Sequence, residues 1–184
     1  DTDLVFKQLS MATKSSFDSA YKGFGSGTKF PNPHQYHILL RRYLKEQDPQ
    51  LLRIVTESLD AMAKGGIHDH IDGGFHRYSV DTQWNVPHFE KMLYDQAGLI
   101  SIYLEAYHIT KQDHYKKIAE KTLDFCIKNM RQEDGGFISA FDAGELHKEG
   151  EYYAWTENDI DMALSKNDLA YFYTKMDMAL IEKG

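Results

Sequence analysis

The sequence predicts an all-α protein built from helical hairpins, stacked as a solenoid or closed as an α/α toroid. Three observations carry that expectation. Apolar residues recur at steps of three and four through most of the 184 residues. Glycine- and proline-rich stretches interrupt the periodic segments at regular points. A glycine followed by phenylalanine recurs at Gly23-Phe24, Gly74-Phe75 and Gly136-Phe137. That period of about 50 to 60 residues fits two helices and a loop. The last two pairs follow Asp72-Gly73 and Asp134-Gly135.

The elements follow in order. Residues 1–14 read as a helix with Leu4, Val5 and Leu9 apolar, and Ser16 to Pro33 as a loop. Tyr36, Leu39, Leu40, Tyr43 and Leu44 mark a helix from His34 to Gln47. Asp48 is placed to cap the next helix, with Pro49 in its first turn. That helix carries Leu51, Leu52, Val55, Leu59 and Met62 and ends at Gly65-Gly66. After a loop to Trp84, Asn85 is expected to cap a long helix starting at Val86-Pro87 and running through Phe89, Met92, Leu93, Leu99, Tyr103 and Tyr107. Another helix is expected from Gln112 to Met130, with the single cysteine, Cys126, on its apolar face. Phe137–Ala140 and Tyr152–Trp155 are expected to pair as a small β-hairpin. Short helices over Glu157–Leu164 and Asp168–Ile181 complete the reading.

Composition narrows the function classes. A net charge of -7 argues against non-specific nucleic-acid binding, which needs a basic face. With one cysteine, no disulfide forms within the chain. No run is apolar enough to span a membrane, no secretory leader is read at the start, and a cytoplasmic setting is favoured. Twelve tyrosines and two tryptophans fit either a cleft with flat, partly polar walls or a core of large side chains.

The chemistry is expected between Gly65 and Asp95, which holds four of the nine histidines. As part of the long helix, His88, Lys91 and Asp95 would share one stripe and Glu90 would pair with Tyr94. Near a helix N-terminus His88 would stay neutral and could act as a base. The same stripe also fits a solvated Lys91–Asp95 ion pair. His68, Asp69, His70, Asp72 and His76 resemble a metal cluster at first sight. Alternation in an extended loop and the lack of ligand spacing point instead to polar residues serving the backbone. No metal and no other cofactor are therefore expected. Arg77 would grip a carboxylate or phosphate, or pair with Asp81. Asp142, Glu149, Glu151 and Trp155 belong to a second loop region.

The strings GGFHRYSVDTQWNVPHFEKMLYDQAGL, GFGSGTKFPNP and EGEYYAWT resemble thioredoxin-domain-containing proteins related to spermatogenesis-associated protein 20. The resemblance covers about Phe17 to Ile160. It implies the first part of a C-terminal α/α toroid of the six-hairpin glycosidase type, similar to that of N-acylglucosamine 2-epimerases. The whole chain, residues 1–184, would then be a fragment of one toroid domain with about seven helices, since about twelve need roughly twice this length. The family's thioredoxin-like domain is absent from this chain and becomes an expected partner in the full-length protein. The cut edge would expose apolar surface through which the fragment can self-associate. Two positions depart from the family pattern: Gly27-Thr28 replaces Ala-Pro, and Asp142-Ala143-Gly144 replaces Asp-Ala-Asp. The second departure weakens any carboxylate pair in that loop.

The resemblance implies a carbohydrate ligand and, if catalysis occurs, proton transfer beside a sugar carbonyl. His88 would be base or acid, Arg77 and Lys91 would offset negative charge, and Glu90 and Asp95 would complete the catalytic group. Trp84 or Trp155 would stack on the sugar, with His70, His76, Tyr78, Asp81, Tyr94 and Asp142 lining it. A non-catalytic scaffold working with the thioredoxin-like domain is the first alternative. Glycoside hydrolysis is the second, with carboxylates drawn from Asp81, Glu90, Asp95 and Asp142.

Overall fold

The computed structural model describes residues 2–145, 147–165 and 168. They fall into two compact units, Asp1–Asp142 and Ala143–Gly184. The first unit holds α1 (Thr2–Ser15), α2 (Pro33–Glu46), α3 (Pro49–Lys64), α4 (Leu93–Thr110) and α5 (Asp113–Phe125). α5 runs on into a π-helical turn, Cys126–Met130. Helix α1 packs on α2, α2 on α3 and α4, and α4 on α5.

Both tight hairpins turn in the same way. Gln47 and Lys111 adopt left-handed conformations with φ of 55° and 60°. Their N–H groups donate to Tyr43 O at 2.7 Å and Tyr107 O at 2.8 Å, closing α2 and α4. Asp48 then starts α3 as expected, its Oδ1 accepting from Gln50 N–H at 2.9 Å.

The periodic residues meet in one core: Tyr36, Leu39 and Leu40 of α2, Ile54, Val55, Leu59 and Met62 of α3, Leu99, Ile102 and Tyr103 of α4, and Tyr115 of α5. Each such side chain contributes about 1.5–3 kcal/mol by leaving water. Tyr103 fixes the helix register by donating its hydroxyl to Leu59 O at 2.7 Å. A smaller cluster of Phe125, Cys126 and Met130 lies below Leu93 and Ile100, and burial pushes the Cys126 thiol up.

Two expectations are corrected. The long helix begins at Leu93, not at Val86-Pro87. Residues before it are extended: β1 (Tyr78–Ser79) pairs antiparallel with β2 (Pro87–His88), Tyr78 opposite His88. Then β3 (Lys91–Met92) pairs antiparallel with β4 (Ala140–Phe141). The reason is local as well as tertiary. The Asp81 carboxylate accepts the N–H groups of Gln83 and Val86 at 2.5 and 2.6 Å, and that of Asn85 at 3.3 Å, making a loop where a helix cap was expected. Pro87 also disfavours helical backbone at Val86. Nor do Phe137–Ala140 and Tyr152–Trp155 form the expected hairpin. Phe137 bridges to Arg131, Ala140 pairs with β3, and Tyr152 and Tyr153 sit in a turn.

The second unit contains α6 (Glu157–Ala163), started by a capping box in which Thr156 and Asp159 bind one another's backbone. The helix expected over Asp168–Ile181 lies, Asp168 apart, outside the described residues. Among the described residues, no helix is long and apolar enough to cross a membrane.

Candidate functional site

Two loops of one build frame the site. In each, an aspartate folds the chain back on a glycine five residues later. Asp18 N–H donates to Gly23 O at 2.9 Å and accepts Lys22 N–H on its own carbonyl at 2.8 Å. Asp69 repeats this with Gly74 O and Gly73 N–H, both at 3.0 Å. The Oδ1 of Asp18 takes the N–H groups of Ala20 and Tyr21, and the Oδ1 of Asp69 takes those of Ile71 and Asp72.

A fully buried lysine locks each loop. Lys29 Nζ reaches Asp18 Oδ2 at 2.6 Å and Lys22 O at 2.5 Å. Lys91 Nζ reaches Asp69 Oδ2 at 2.7 Å and Gly73 O at 2.9 Å. Each ammonium also faces an aromatic ring, Trp84 at 5.7 Å for Lys29 and Phe125 at 4.1 Å for Lys91. Those same rings pack on the glycines. A Cβ on Gly23 would collide with the Trp84 ring, and one on Gly74 would sit 2.8 Å from Phe125, while both residues need φ near +78°. Burial works against the Asp69 carboxylate, but Lys91 and the two N–H groups outweigh it and hold it below the usual carboxylate range. The third glycine-phenylalanine loop is one residue shorter and closes on Gln132, whose N–H donates to Gly136 O at 2.8 Å, and its Phe137 is exposed.

Between the locks runs a short strand assembly. Lys29 and Ser79 exchange both backbone hydrogen bonds, Tyr78 faces His88 across the β1–β2 ladder, and Arg77 N–H donates to Glu90 O at 2.8 Å. This frame brings Arg77, Tyr78, His88 and Glu90 together. Arg77 Nη1 donates to Glu90 Oε2 at 2.7 Å. His88 Nε2 lies 3.4 Å from that same oxygen. The imidazole stacks on the Tyr78 ring, 4.7 Å between centroids and 9° between planes, and Phe30 lies 4.9 Å beyond. Glu90 and then Tyr94 hold the Arg77 guanidinium in its charged form. Asp95, in the first turn of α4, is only 8% exposed, and burial raises its carboxyl to about 7 against the lowering effect of Arg77.

The remaining candidates are placed differently. Lys91, expected to offset charge on a ligand, is instead the buried partner of Asp69. Trp84, expected to stack on a sugar, is wholly buried and donates its Nε1–H to Lys22 O at 3.3 Å. Asp81 is the loop cap already described, so Arg77 pairs with Glu90 and not with Asp81. His76 is buried with Nδ1 3.2 Å from Phe89 O, and burial pushes it down to about 4. His70 Nε2 lies 3.0 Å from Gly65 O, and its ring meets the edge of His68. Tyr94 and Asp142 are exposed in the first unit, and Trp155 is exposed in the second. Among the described residues, no group of three or more His, Cys, Asp or Glu is placed to hold a metal ion.

Sequence reasoning missed Phe30, Asp18 and Gln96, and it placed Asp69 among residues serving the backbone without its lysine partner. The Gln96 amide mimics a strand partner, accepting Phe75 N–H and donating to Phe75 O, both at 2.7 Å. One signal was available for the locks: an aspartate five residues ahead of the glycine in both loops.

No protein-family profile matches the chain. Human spermatogenesis-associated protein 20 is 39% identical over 158 residues, which is 80% of this chain but 20% of that protein. The chain thus spans about a fifth of the length of this relative. Among solved structures, a sugar epimerase from a ruminal bacterium aligns with 77% of the chain and 40% of its own, at a TM-score of 0.66 and 17% identity. Cellobiose 2-epimerase from Spirochaeta thermophila aligns with 75% of the chain and 40% of its own, at 0.63 and 15% identity. At such identities the likeness speaks for the fold alone: the described helices form part of an α/α toroid.

Proposed function

Because the chain is a relative of spermatogenesis-associated protein 20 folded as part of an α/α toroid, we propose that it is a carbohydrate-active module that transfers a proton beside a sugar carbonyl. One observation carries this reading: an imidazole, a carboxylate and a guanidinium in series, His88–Glu90–Arg77, set against stacked aromatic rings. Glu90 accepts from Arg77 and lies 3.4 Å from His88 Nε2, which favours one orientation of the imidazole. His88 acts as base or acid, and Arg77 offsets the negative charge that develops as the proton leaves. Phe30, Tyr78 and Tyr94 take over the stacking role, since Trp84 is inside the core. The names of the structural neighbours, both sugar epimerases, agree in direction.

The test is a thermal-shift screen with mono- and disaccharides and their amino and acidic derivatives. A sugar at a hundred times its dissociation constant should stabilise the protein by about 2.7 kcal/mol. His88→Ala should remove that response while the protein stays folded. An unchanged response in His88→Ala would take His88 out of the site. No response to any sugar would favour the alternative, a non-catalytic scaffold that works with a thioredoxin-like domain.

A further inference from the structure

The small sheet that carries Tyr78 and His88 has one buried face and one open face. Lys29 and Ser79, which bridge to one another, are wholly buried. Phe30, Val80 and Val86 are about half exposed, at 43%, 49% and 50%. Side chains alternate along a strand, so Val80 follows Tyr78 onto the open face and Val86 precedes His88 there. The pairing agrees. Tyr78 faces His88, and the ladder runs on by one bond, Val80 N–H donating to Val86 O at 2.9 Å. The Phe30 ring lies beside them, 4.9 Å from that of Tyr78.

Three kinds of surface thus follow one another: the charged pair Glu90–Arg77, the rings of His88, Tyr78 and Phe30, and the aliphatic pair Val80–Val86. Single exposed valines are ordinary. These two oppose each other and continue directly from the rings of the site. Their polar groups are already used. Val86 O accepts from Val80 N–H and from the Ser79 hydroxyl, and Val86 N–H donates to Asp81 Oδ2 at 2.6 Å. What the pair offers a ligand is methyl groups. A sugar hydroxyl laid on them would exchange water for no partner, whereas an apolar group gains by covering them. The pair lies about 7 Å from His88 and Tyr78, two residues along each strand. A substituent on a sugar spans that distance while the sugar ring stays at His88.

We propose that the ligand of this site is a sugar bearing an apolar alkyl or aryl group, the sugar on His88–Glu90–Arg77 and the apolar group on Val80, Val86 and Phe30. This rests on reading the His88–Glu90–Arg77 cluster as sugar-facing, and it names the class of sugar taken there. Proton transfer beside the carbonyl requires that carbonyl to be free, so the apolar group sits on another carbon.

The experiment is titration calorimetry with glucose, mannose, and their hexyl and benzyl ethers, substituted at the primary or at one secondary hydroxyl. Hexanol alone is the control. A methylene taken fully out of water is worth about fourfold in affinity, and a chain on an open face is covered on one side only. At least one ether should therefore bind about tenfold tighter than its parent sugar. That comparison needs no variant. In the double variant Val80→Thr, Val86→Thr, which keeps both β-branched shapes, the ether should fall back to the affinity of its parent. Ethers no tighter than parent sugars that do bind would overturn the proposal and leave the sugar reading in place. A gain that survives the double variant would also overturn it, by placing the apolar group elsewhere. Equal ether binding by the wild type and His88→Ala, displaced by hexanol, would overturn it and mark the valine pair as a surface for an apolar protein partner. No binding of any sugar or ether would remove the sugar reading and this proposal together.

Discussion

Lys91 and Asp95 stand four residues apart, yet they belong to opposite kinds of environment. Lys91 is wholly buried with an aspartate, a carbonyl and an aromatic ring around its ammonium. Asp95 is nearly as buried, and one of its oxygens meets no partner. The first arrangement holds a loop. The second leaves a buried carboxyl oxygen without a hydrogen-bond partner. Lys29 and Asp18 repeat the first arrangement almost atom for atom, which marks it as a structural unit of the fold.

The contrast can be broken first at Lys91. Lys91→Met leaves the Asp69 carboxylate buried without its counter-charge and should lower stability by about 3–5 kcal/mol, read from urea unfolding. Lys29→Met should cost less, because Asp18 keeps more contact with water, 17% against 9% exposure. A Lys91→Met protein as stable as the wild type would show that the lock is no lock.

Asp95 gives the next effect, with the opposite pH dependence. Its folded value near 7 lies about three units above the ordinary 3.8, so the native state holds a proton that the unfolded chain releases. Stability should fall as the pH rises from about 4 to 7 and then level off, by up to about 4 kcal/mol at 1.36 kcal/mol per unit. Asp69 behaves in reverse: its value is lowered, so its contribution is present above the ordinary carboxylate range and lost as the pH falls through the folded value. Subtracting the curve of Asp95→Asn from that of the wild type should isolate the first window, and a flat difference would place Asp95 outside the buried, unpartnered class.

His88→Ala should change stability by only about 1 kcal/mol, the worth of a lost ring contact, while abolishing the sugar response. A larger loss in chemical denaturation would move His88 to the structural side of the comparison. The smallest effect is expected in the third glycine loop. Phe137→Ala, at an exposed ring, should cost about 0.5 kcal/mol or less, whereas Phe75→Ala in the locked loop should cost about 3–5 kcal/mol.

The helices were legible where one signal dominated. Asp48-Pro49 announced the start of α3, and the apolar rows of α2 and α3 pointed to the core they occupy. The glycine-phenylalanine pairs located three loops of related build, although the third is one residue shorter and closes on Gln132 instead of an aspartate. Within the stretch from Gly65 to Asp95 where the chemistry was expected, Arg77, Tyr78, His88 and Glu90 come together. Lys91 and Trp84 were misread because a charged residue and an amphipathic ring carry no mark of burial in their own neighbourhood.

What the sequence alone determined is therefore the apolar rows of the helices, the cap of α3, and most of the loops between them. Those are decided by interactions within a few residues, which a single chain segment contains. What the tertiary structure decided is the extended stretch from Pro87 to Met92, with its two short strands, and the pairing of the charges near it. Phe89, Met92 and Leu93 fit a helical period as well as they fit a strand followed by a helix start. The choice fell to partners far along the chain: Tyr78–Ser79 on one side and Ala140–Phe141 on the other. The pairing of Lys91 with Asp69 spans 22 residues, and its strength comes from a burial that exists only once the helices have packed.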